Sequence, residues 1–414
     1  MPQTPIALVD CNAFYASCEQ VFAPDAKDAV VASNNDGCVI ALSLGAREHV
    51  NMGVPLFQNE DVFEQNNIHV FSANFAMYAD FSNRVMAILK ECVPRVYWYS
   101  IDESFATFPG SLCPREVQDY ILRCTGIKTS IGIGETKTLA KLANHVAKKR
   151  EEYAGTFKLP EGRGRDELLE SIDVGKVWGI GRRWKKRLSE LGIENVRQLR
   201  DTHPKWIRSH FSVVMERTVR ELNGVRCIPL EEVVSENRHR CCSRSFGTPI
   251  TELSDLEESI AYFATRVSER MRREGLIGQY VQTFVTTKSN TDDPHYSNGY
   301  TVSLPEPTSY APAIAKYAAV GLRRIYKPGY LYRRAGINIL GLTEATNRQR
   351  DLFVASSPKK EKALMKVLDQ INGTFGRDTL RLASEGTADQ IWKMRQVKRS
   401  NRYTTRWSEL PVAV

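Results

Sequence analysis

Val96-Tyr-Trp-Tyr-Ser-Ile-Asp-Glu-Ser-Phe-Ala-Thr-Phe108 sets an Asp-Glu pair inside a run of β-forming residues. An exposed acidic turn does not ordinarily sit within an aromatic and apolar run. The stretch therefore reads as two strands, Val96 to Ile101 and Ser104 to Phe108, meeting at Asp102 and Glu103. Ile6-Ala-Leu-Val9 is a short apolar run that ends on a third carboxylate, Asp10, the pattern of a buried strand delivering a charged group at its end. A sheet that pairs these strands brings Asp10, Asp102 and Glu103 together.

Working outward, Asn12 to Phe22 predicts a helix, Val30 to Ser33 a strand, and Asn34-Asn-Asp-Gly37 a turn in which Gly37 is free to take a positive φ. Ser43 to His49 predicts a helix ahead of the breakers Gly53 and Pro55. Met77, Phe81, Val85, Ile88 and Leu89 recur at helical spacing within Phe75 to Glu91. A strand from Lys128 to Ile133 leads through Gly134 into a helix from Thr136 to Lys149. The order βα, then αββαβ, predicts a ferredoxin-like sheet with an insertion between residues 25 and 74. Gly155 to Asp166 is rich in Gly and charge, with a domain boundary at its end, and short helices fill residues 168 to 226. After a polar linker, Glu231 to Arg240, a second αβ module has strands at Ser243 to Pro249, Gly278 to Lys288, Tyr300 to Leu304 and Arg334 to Leu340. Its helices are Leu253 to Glu274 and Ala311 to Tyr326, and residues 343 to 414 form a charged tail with one helix, Lys359 to Asn372.

A chain of 414 residues exceeds what one core organises, so several domains are expected, and the element order makes them α+β. Lys and Arg number 57 against 48 Asp and Glu, a net charge of +9 that favours a polyanion such as nucleic acid, although a merely basic soluble enzyme has the same balance. No stretch has the apolar length of a membrane span, and Met1 to Ala7 has no basic region leading into an apolar run, so a cytoplasmic location is expected. The nine cysteines are scattered apart from Cys241-Cys242, and no His stands at finger-like spacing, which favours reduced thiols over zinc or disulfides.

The carboxylates suggest a chemistry. In nucleotide addition a primer hydroxyl attacks an α-phosphate while pyrophosphate leaves, and two divalent ions about 3.5–4 Å apart can stabilise both oxygens. Mg²⁺ is a hard cation that prefers carboxylate and phosphate oxygens.

Asp10-Cys-Asn-Ala-Phe-Tyr-Ala-Ser-Cys-Glu19, Ser33-Asn-Asn-Asp-Gly-Cys-Val-Ile40 and Tyr99-Ser-Ile-Asp-Glu-Ser-Phe105, with Arg402-Tyr-Thr-Thr-Arg-Trp-Ser408 near the end, together resemble a Y-family translesion DNA polymerase of the UmuC branch. The resemblance covers nearly the whole chain. It implies a ferredoxin-like catalytic palm of residues 1–24 and 75–165 with fingers inserted at 25–74. It further implies a helix-hairpin-helix thumb at 168–230, an αβ little-finger domain at 241–342 and a partner-binding tail at 343–414. The implied activity is template-directed, error-prone addition of dNTPs to a primer 3′ end in the SOS response to DNA damage. Two Mg²⁺ ions would be held by Asp10, Asp102, Glu103 and the backbone carbonyl of Cys11, and the triphosphate by Arg47 and Lys137. Phe14 and Tyr15 would face the nucleotide, with Tyr15 as the steric gate against a 2′-hydroxyl, the alternative being core aromatics. Many family members carry a Tyr where this chain has Leu44, which removes one triphosphate contact; the UmuC branch shares that loss.

Gly179-Ile-Gly181 followed by Arg182, Arg183, Lys185, Lys186 and Arg187 resembles a helix-hairpin-helix, in which backbone N–H groups approach a DNA phosphate and the cations add sequence-independent attraction. The alternative is a solvated basic helix face, and Trp178 and Trp184 read as core residues. Gln349-Arg-Asp-Leu-Phe353 resembles a sliding-clamp peptide, with Gln349 as polar anchor and Leu352 and Phe353 as the apolar pair, or else pins the tail to the little finger. The resemblance also implies primer-template DNA, a processed UmuD′-like dimer and the RecA filament as partners. A non-catalytic DNA-binding scaffold subunit of the same fold is the rival reading, opposed by the three intact carboxylates, and a nucleotidyl cyclase would need no basic thumb.

Overall fold

The computed structural model describes residues 4–230, 239–287, 294–347, 358–386, 390, 392 and 394–410. They fall in two compact units, the first within residues 1–33, 37–233 and 397–414 and the second within 34–36 and 234–396.

The first unit begins β1 (Ile6–Cys11), α1 (Phe14–Phe22), β2 (Ala29–Ala32), β3 (Val39–Leu42), α2 (Glu60–Gln65) and β4 (His69–Ser72). It continues α3 (Phe75–Cys92), β5 (Val96–Trp98), β6 (Glu103–Thr107), α4 (Pro114–Thr125), β7 (Thr129–Gly134) and α5 (Lys137–Lys149). β8 (Thr156–Lys158) and the helices α6 (Gly162–Glu170), α7 (Arg182–Ser189), α8 (Val196–Asp201), α9 (Pro204–His210) and α10 (Val213–Leu222) follow.

The main sheet has the order β5-β6-β1-β7-β8, and its first four strands carry the ferredoxin-like arrangement expected from the element order. β1 is central and buried throughout, as an apolar run flanked by helices on both faces must be. Ala7, Val9 and Cys11 alternate into one core with Met77, Phe81 and Val85 of α3 and Val117 and Ile121 of α4. Ile6 and Leu8 point the other way, toward Phe105 and Ala140 of α5. Residues 29–72 build a separate three-stranded sheet, β3-β2-β4, with its own core of Val30, Val39, Leu42 and Phe63.

Helix α5 lies unusually close to β7. A Cβ at Gly132 would collide with the backbone N of Asn144, and one at Gly134 would lie 2.8 Å from the backbone N of Ala140. Asn144 uses the closeness: its buried Nδ2 donates to the Ser130 carbonyl at 2.8 Å. The start of α5 is held by the buried Glu221 of α10, whose Oε2 accepts from the Thr138 N–H and hydroxyl, both at 2.9 Å. A carboxylate at a helix start satisfies otherwise orphaned donors. Leu139, Leu142 and Val146 of α5 then share one core with Leu168, Leu188, Leu199 and Val219 of the helices that follow.

Several local expectations shift. Gly37 has φ −80°, and the left-handed residues are Asn35 and Asp36, which tolerate that region through their short polar side chains. Ser43 to His49 condenses to a 3₁₀ turn, Gly45–Glu48. The Gly- and charge-rich passage contains β8, which joins the sheet parallel to β7, a strand too short for its pattern to register in sequence.

The second unit has β9 (His239–Ile250), α11 (Leu253–Arg273), β10 (Leu276–Thr287), β11 (Ser297–Thr308), α12 (Ala311–Ile325), β12 (Tyr332–Leu340), β13 (Thr343–Glu344) and α13 (Pro358–Thr374). The sheet order is β11-β10-β12-β9, all antiparallel. α11 and α12 cover one face around Phe263, Val281, Leu322 and Ile337. The charged tail is packed as well as charged. Met365 and Leu368 of α13 are buried with Ala311, and Arg272 grips Asp369 through two hydrogen bonds of 2.7 and 2.6 Å. Residues 349–353 lie outside the described residues.

Gly132→Ala is expected to cost about 1–3 kcal/mol, the range for overpacking a close contact. Gly110→Ala, where the added methyl meets open space, should stay within about 0.5 kcal/mol. Urea midpoints read the difference, and equal midpoints would mean that the β7–α5 contact does not depend on glycine at position 132.

Candidate active site

The register of the main sheet sets Asp10 directly opposite Glu103 on one side and Ser130 on the other. Directly opposed residues have Cβ atoms about 4.5–5.5 Å apart. The Cys11 N–H donates to the Asp102 carbonyl at 2.9 Å, which draws the third carboxylate residue to the same end of β1. Ser100 shapes the turn that presents the pair: its Oγ donates to Asp102 Oδ1 at 2.5 Å and accepts from the Glu103 N–H at 3.0 Å.

Two lysines of α5 meet these carboxylates. Lys148 pairs with Asp10 at 2.6 Å, and Lys141 donates to both oxygens of Glu103, at 2.8 and 3.1 Å. Lys141 also lies over the rings of Tyr99 and Trp178, 4.6 and 5.2 Å from their centroids. Burial pushes the Asp10 carboxyl up to about 7, with the charge of Glu103 adding to the rise and Lys148 opposing it. Asp10 is therefore a buried acid whose anionic form depends on a nearby cation.

Of the two cations expected for a triphosphate, Arg47 sits exposed on the 3₁₀ turn Gly45–Glu48. Lys137 is spent elsewhere: its Nζ donates to the Pro229 carbonyl at 2.7 Å and lies 4.9 Å from the Phe105 ring centroid. Burial lowers the Lys137 ammonium, with Glu221 opposing. Lys141 and Lys148 were not singled out from sequence, yet a signal existed. Lys137, Lys141 and Lys148 stand at i, i+4 and i+11, one stripe of a helix.

Phe14 is a core residue, 4% exposed, and backs Tyr15 with ring centroids 5.8 Å apart. Tyr15 is half-buried and stacks on Tyr78 at 4.5 Å, with Phe75 edge-on at 5.7 Å. Among the basic helix residues, Gly179 takes φ +87° and Gly181 is the N-cap of α7. Arg182, Arg183, Lys185 and Lys186 are exposed, and Lys185 pairs with Asp173 at 2.7 Å. Trp178 and Trp184 are partly buried against cores.

No helix among the described residues is long and apolar enough to cross a membrane. Residues 9–145 match the impB/mucB/samB family, residues 238–352 the impB/mucB/samB family C-terminal domain, and residues 362–413 a domain of unknown function, DUF4113. Protein UmuC of Salmonella typhimurium is 40% identical over 417 residues, covering 98% of this chain and 99% of that protein. Protein ImpB of Salmonella typhimurium is 39% identical over 421 residues, with the same coverage. A solved chimera of the Y-family DNA polymerases Dbh and Dpo4 has the same fold, with a TM-score of 0.63 at 19% identity, over 82% of this chain and 99% of that one. By its near-full-length kinship to these proteins the chain belongs to the impB/mucB/samB family, which includes UmuC, and it has the fold of the Y-family DNA polymerases.

Proposed function

We propose that this chain copies damaged DNA with low fidelity, extending a primer 3′ end by two-metal phosphoryl transfer at Asp10, Asp102 and Glu103. The observation that carries the reading is the placement of Asp10 opposite Glu103, with Asp102 alongside, at one end of the buried central strand β1. Among the described residues no three Asp, Glu, His or Cys side chains converge as a ready cage, because these carboxylates are turned to Lys148, Lys141 and Ser100. Their chemistry nevertheless suits Mg²⁺: hard oxygens, concentrated negative charge, and a buried acid that needs a cation. Asp10, Asp102, Glu103 and the Cys11 carbonyl would hold two ions, which when bound stabilise the attacking and leaving oxygens.

Lys148 and Lys141, once released from the carboxylates, supply positive charge beside the triphosphate. Arg47 adds a forked donor, and Lys137 joins if its contact with Pro229 yields. Tyr15, backed by Phe14 and Tyr78, closes the space a 2′-hydroxyl would occupy. Gly179, Gly181 and the cations of α7 grip the DNA backbone without reading sequence. Gln349, Leu352 and Phe353 tether the enzyme to the sliding clamp, raising its effective concentration at the primer end. A UmuD′-like dimer and the RecA filament complete a cytoplasmic SOS assembly.

Asp102→Asn and Glu103→Gln are expected to abolish nucleotide addition while DNA binding persists, measured by primer extension beside a gel-shift titration. Normal extension by the Asp102→Asn protein would sink the two-metal assignment. Replacing Arg182, Arg183 and Lys186 together by Ala should reduce the slope of log affinity against log salt by about 2 to 3, one contact at a time contributing about 0.9; an unchanged slope would return α7 to a merely solvated face. Leu352→Ala with Phe353→Ala should abolish binding to purified clamp and leave unassisted synthesis unchanged, whereas intact clamp binding would remove the motif from the proposal.

A further inference from the structure

Behind Tyr15 lies a buried polar chain that ends in the C-terminal segment. Tyr15 and Glu19 are four residues apart on α1 and so share a face. Tyr15 stacks on Tyr78 with an interplanar angle of 17°, and the Tyr78 hydroxyl donates to Glu19 Oε1 at 2.6 Å. Both partners are almost fully enclosed, at 0% and 1% exposure. Glu19 Oε2 has no well-formed hydrogen bond among the described residues. Burial raises the Glu19 carboxyl, and the Tyr78 and Ser400 hydroxyls and the Arg399 charge oppose that rise. A buried carboxylate without such partners would be costly.

The segment that brings Arg399 and Ser400 is seated at several points of the first unit. Ser72 N–H donates to the Lys398 carbonyl at 2.9 Å, and the Lys398 N–H returns to Ser72 Oγ at 3.0 Å, which extends the free edge of β4. Tyr403 stacks on Phe22 at 4.3 Å. Asn74 stands at the N-cap of α3 but makes no capping bond with its side chain. Its Nδ2 donates instead to Ser400 Oγ at 3.0 Å and to the Asn401 carbonyl at 3.3 Å, and its Oδ1 accepts from Arg399 at 3.5 Å. The next residues of α3 on this side are Phe75 and Tyr78, the two rings that hold Tyr15. The segment thus reaches the Tyr15 ring through the start of α3, and its Arg399 charge and Ser400 hydroxyl bear on the Glu19 carboxylate that anchors Tyr78.

We propose that Arg399 and Ser400 are positioning residues for sugar selection, holding the Tyr78 and Phe75 rings so that Tyr15 stays closed against ribonucleotides. The proposal rests on the reading of Tyr15 as the steric gate. A ring held by stacking alone can slide within its plane, whereas a hydroxyl anchored to a buried carboxylate pins it. Loss of the anchor opens room beside the sugar and leaves the metal carboxylates untouched.

The test is single-nucleotide primer extension by the full-length chain, comparing kcat/KM for a dNTP and its rNTP. Arg399→Ala with Ser400→Ala should lower the preference for dNTP about tenfold, equivalent to about 1.4 kcal/mol, mainly by raising rNTP use, with dNTP extension within about twofold of the parent. Tyr78→Phe, which keeps the stack and removes the anchor, should likewise lower the preference for dNTP. The conservative change Arg399→Lys, which keeps the positive charge near Glu19, should hold discrimination close to that of the parent. Tyr15→Ala serves as the reference. If it discriminates as the parent does, the gate reading fails and takes this proposal with it. If Tyr15→Ala loses discrimination while the Arg399/Ser400 variant and Tyr78→Phe keep it, the gate stands and the positioning proposal is overturned. Equal losses of dNTP and rNTP incorporation in the double variant would likewise overturn it, since a merely structural segment lowers both alike.

Discussion

Two carboxylates facing each other across adjacent strands set the terms for the rest of the first unit. Asp10 and Glu103 are register partners, and Asp102 is drawn in beside them by a backbone hydrogen bond. Like charges brought this close repel one another, which is part of why the Asp10 carboxyl is pushed up. Lys141 and Lys148 offset that repulsion. They can do so only because α5 lies close against β7, which Gly132 and Gly134 permit, and because Glu221 holds its N-terminal end. The same helix shares its apolar side with α6 to α10. The charge balance of the site and the attachment of the basic helices therefore depend on one helix in one position.

The arrangement joins stability to function. A site that concentrates negative charge is costly without a compensating cation, and the α5 lysines fill that need. Asp10, pushed up by burial, is the group most dependent on a compensating charge. The aromatic side of α1 follows another logic: Tyr15 is held by rings from α3, and these are tied in turn to a buried carboxylate and a chain segment far away in sequence.

The two units use the same βαββαβ order with different strand orders. In both, helices cover the apolar face, so the period-2 and period-3.6 patterns were readable from the residues alone. Helices such as Phe75–Cys92, Leu253–Arg273 and Ala311–Ile325 are long and strongly periodic, and their expected bounds fall within a residue or so of the structure. Short or strained pieces were not readable. β8 has three residues, and the turn at 34–37 puts its positive φ on Asn35 and Asp36 instead of the glycine. The tail read as a charged appendage with one helix, which α13 matches; that Met365, Leu368 and Trp392 are buried could not be read, because each packs on residues far away in sequence.

What the sequence alone determined is the set of carboxylates and the strands that deliver them: an apolar run ending on Asp10 and a β-rich run interrupted by Asp102-Glu103 are local signals, and local signals survive without contacts. The aromatic pair after Asp10, the basic run after Gly179 and the α+β character were legible for the same reason. Tertiary structure alone decided which lysines meet the carboxylates, because Lys137, Lys141 and Lys148 share one stripe and only the packing of α5 separates them. Lys137 is drawn to Pro229, Lys141 to Glu103 and Lys148 to Asp10. It also decided that Glu19, unremarkable in sequence, is buried against Tyr78 with Arg399 and Ser400 supplied from 380 and 381 residues away. Pairings across that separation depend on the cost of burying a charge, which exists only once the chain has closed around it.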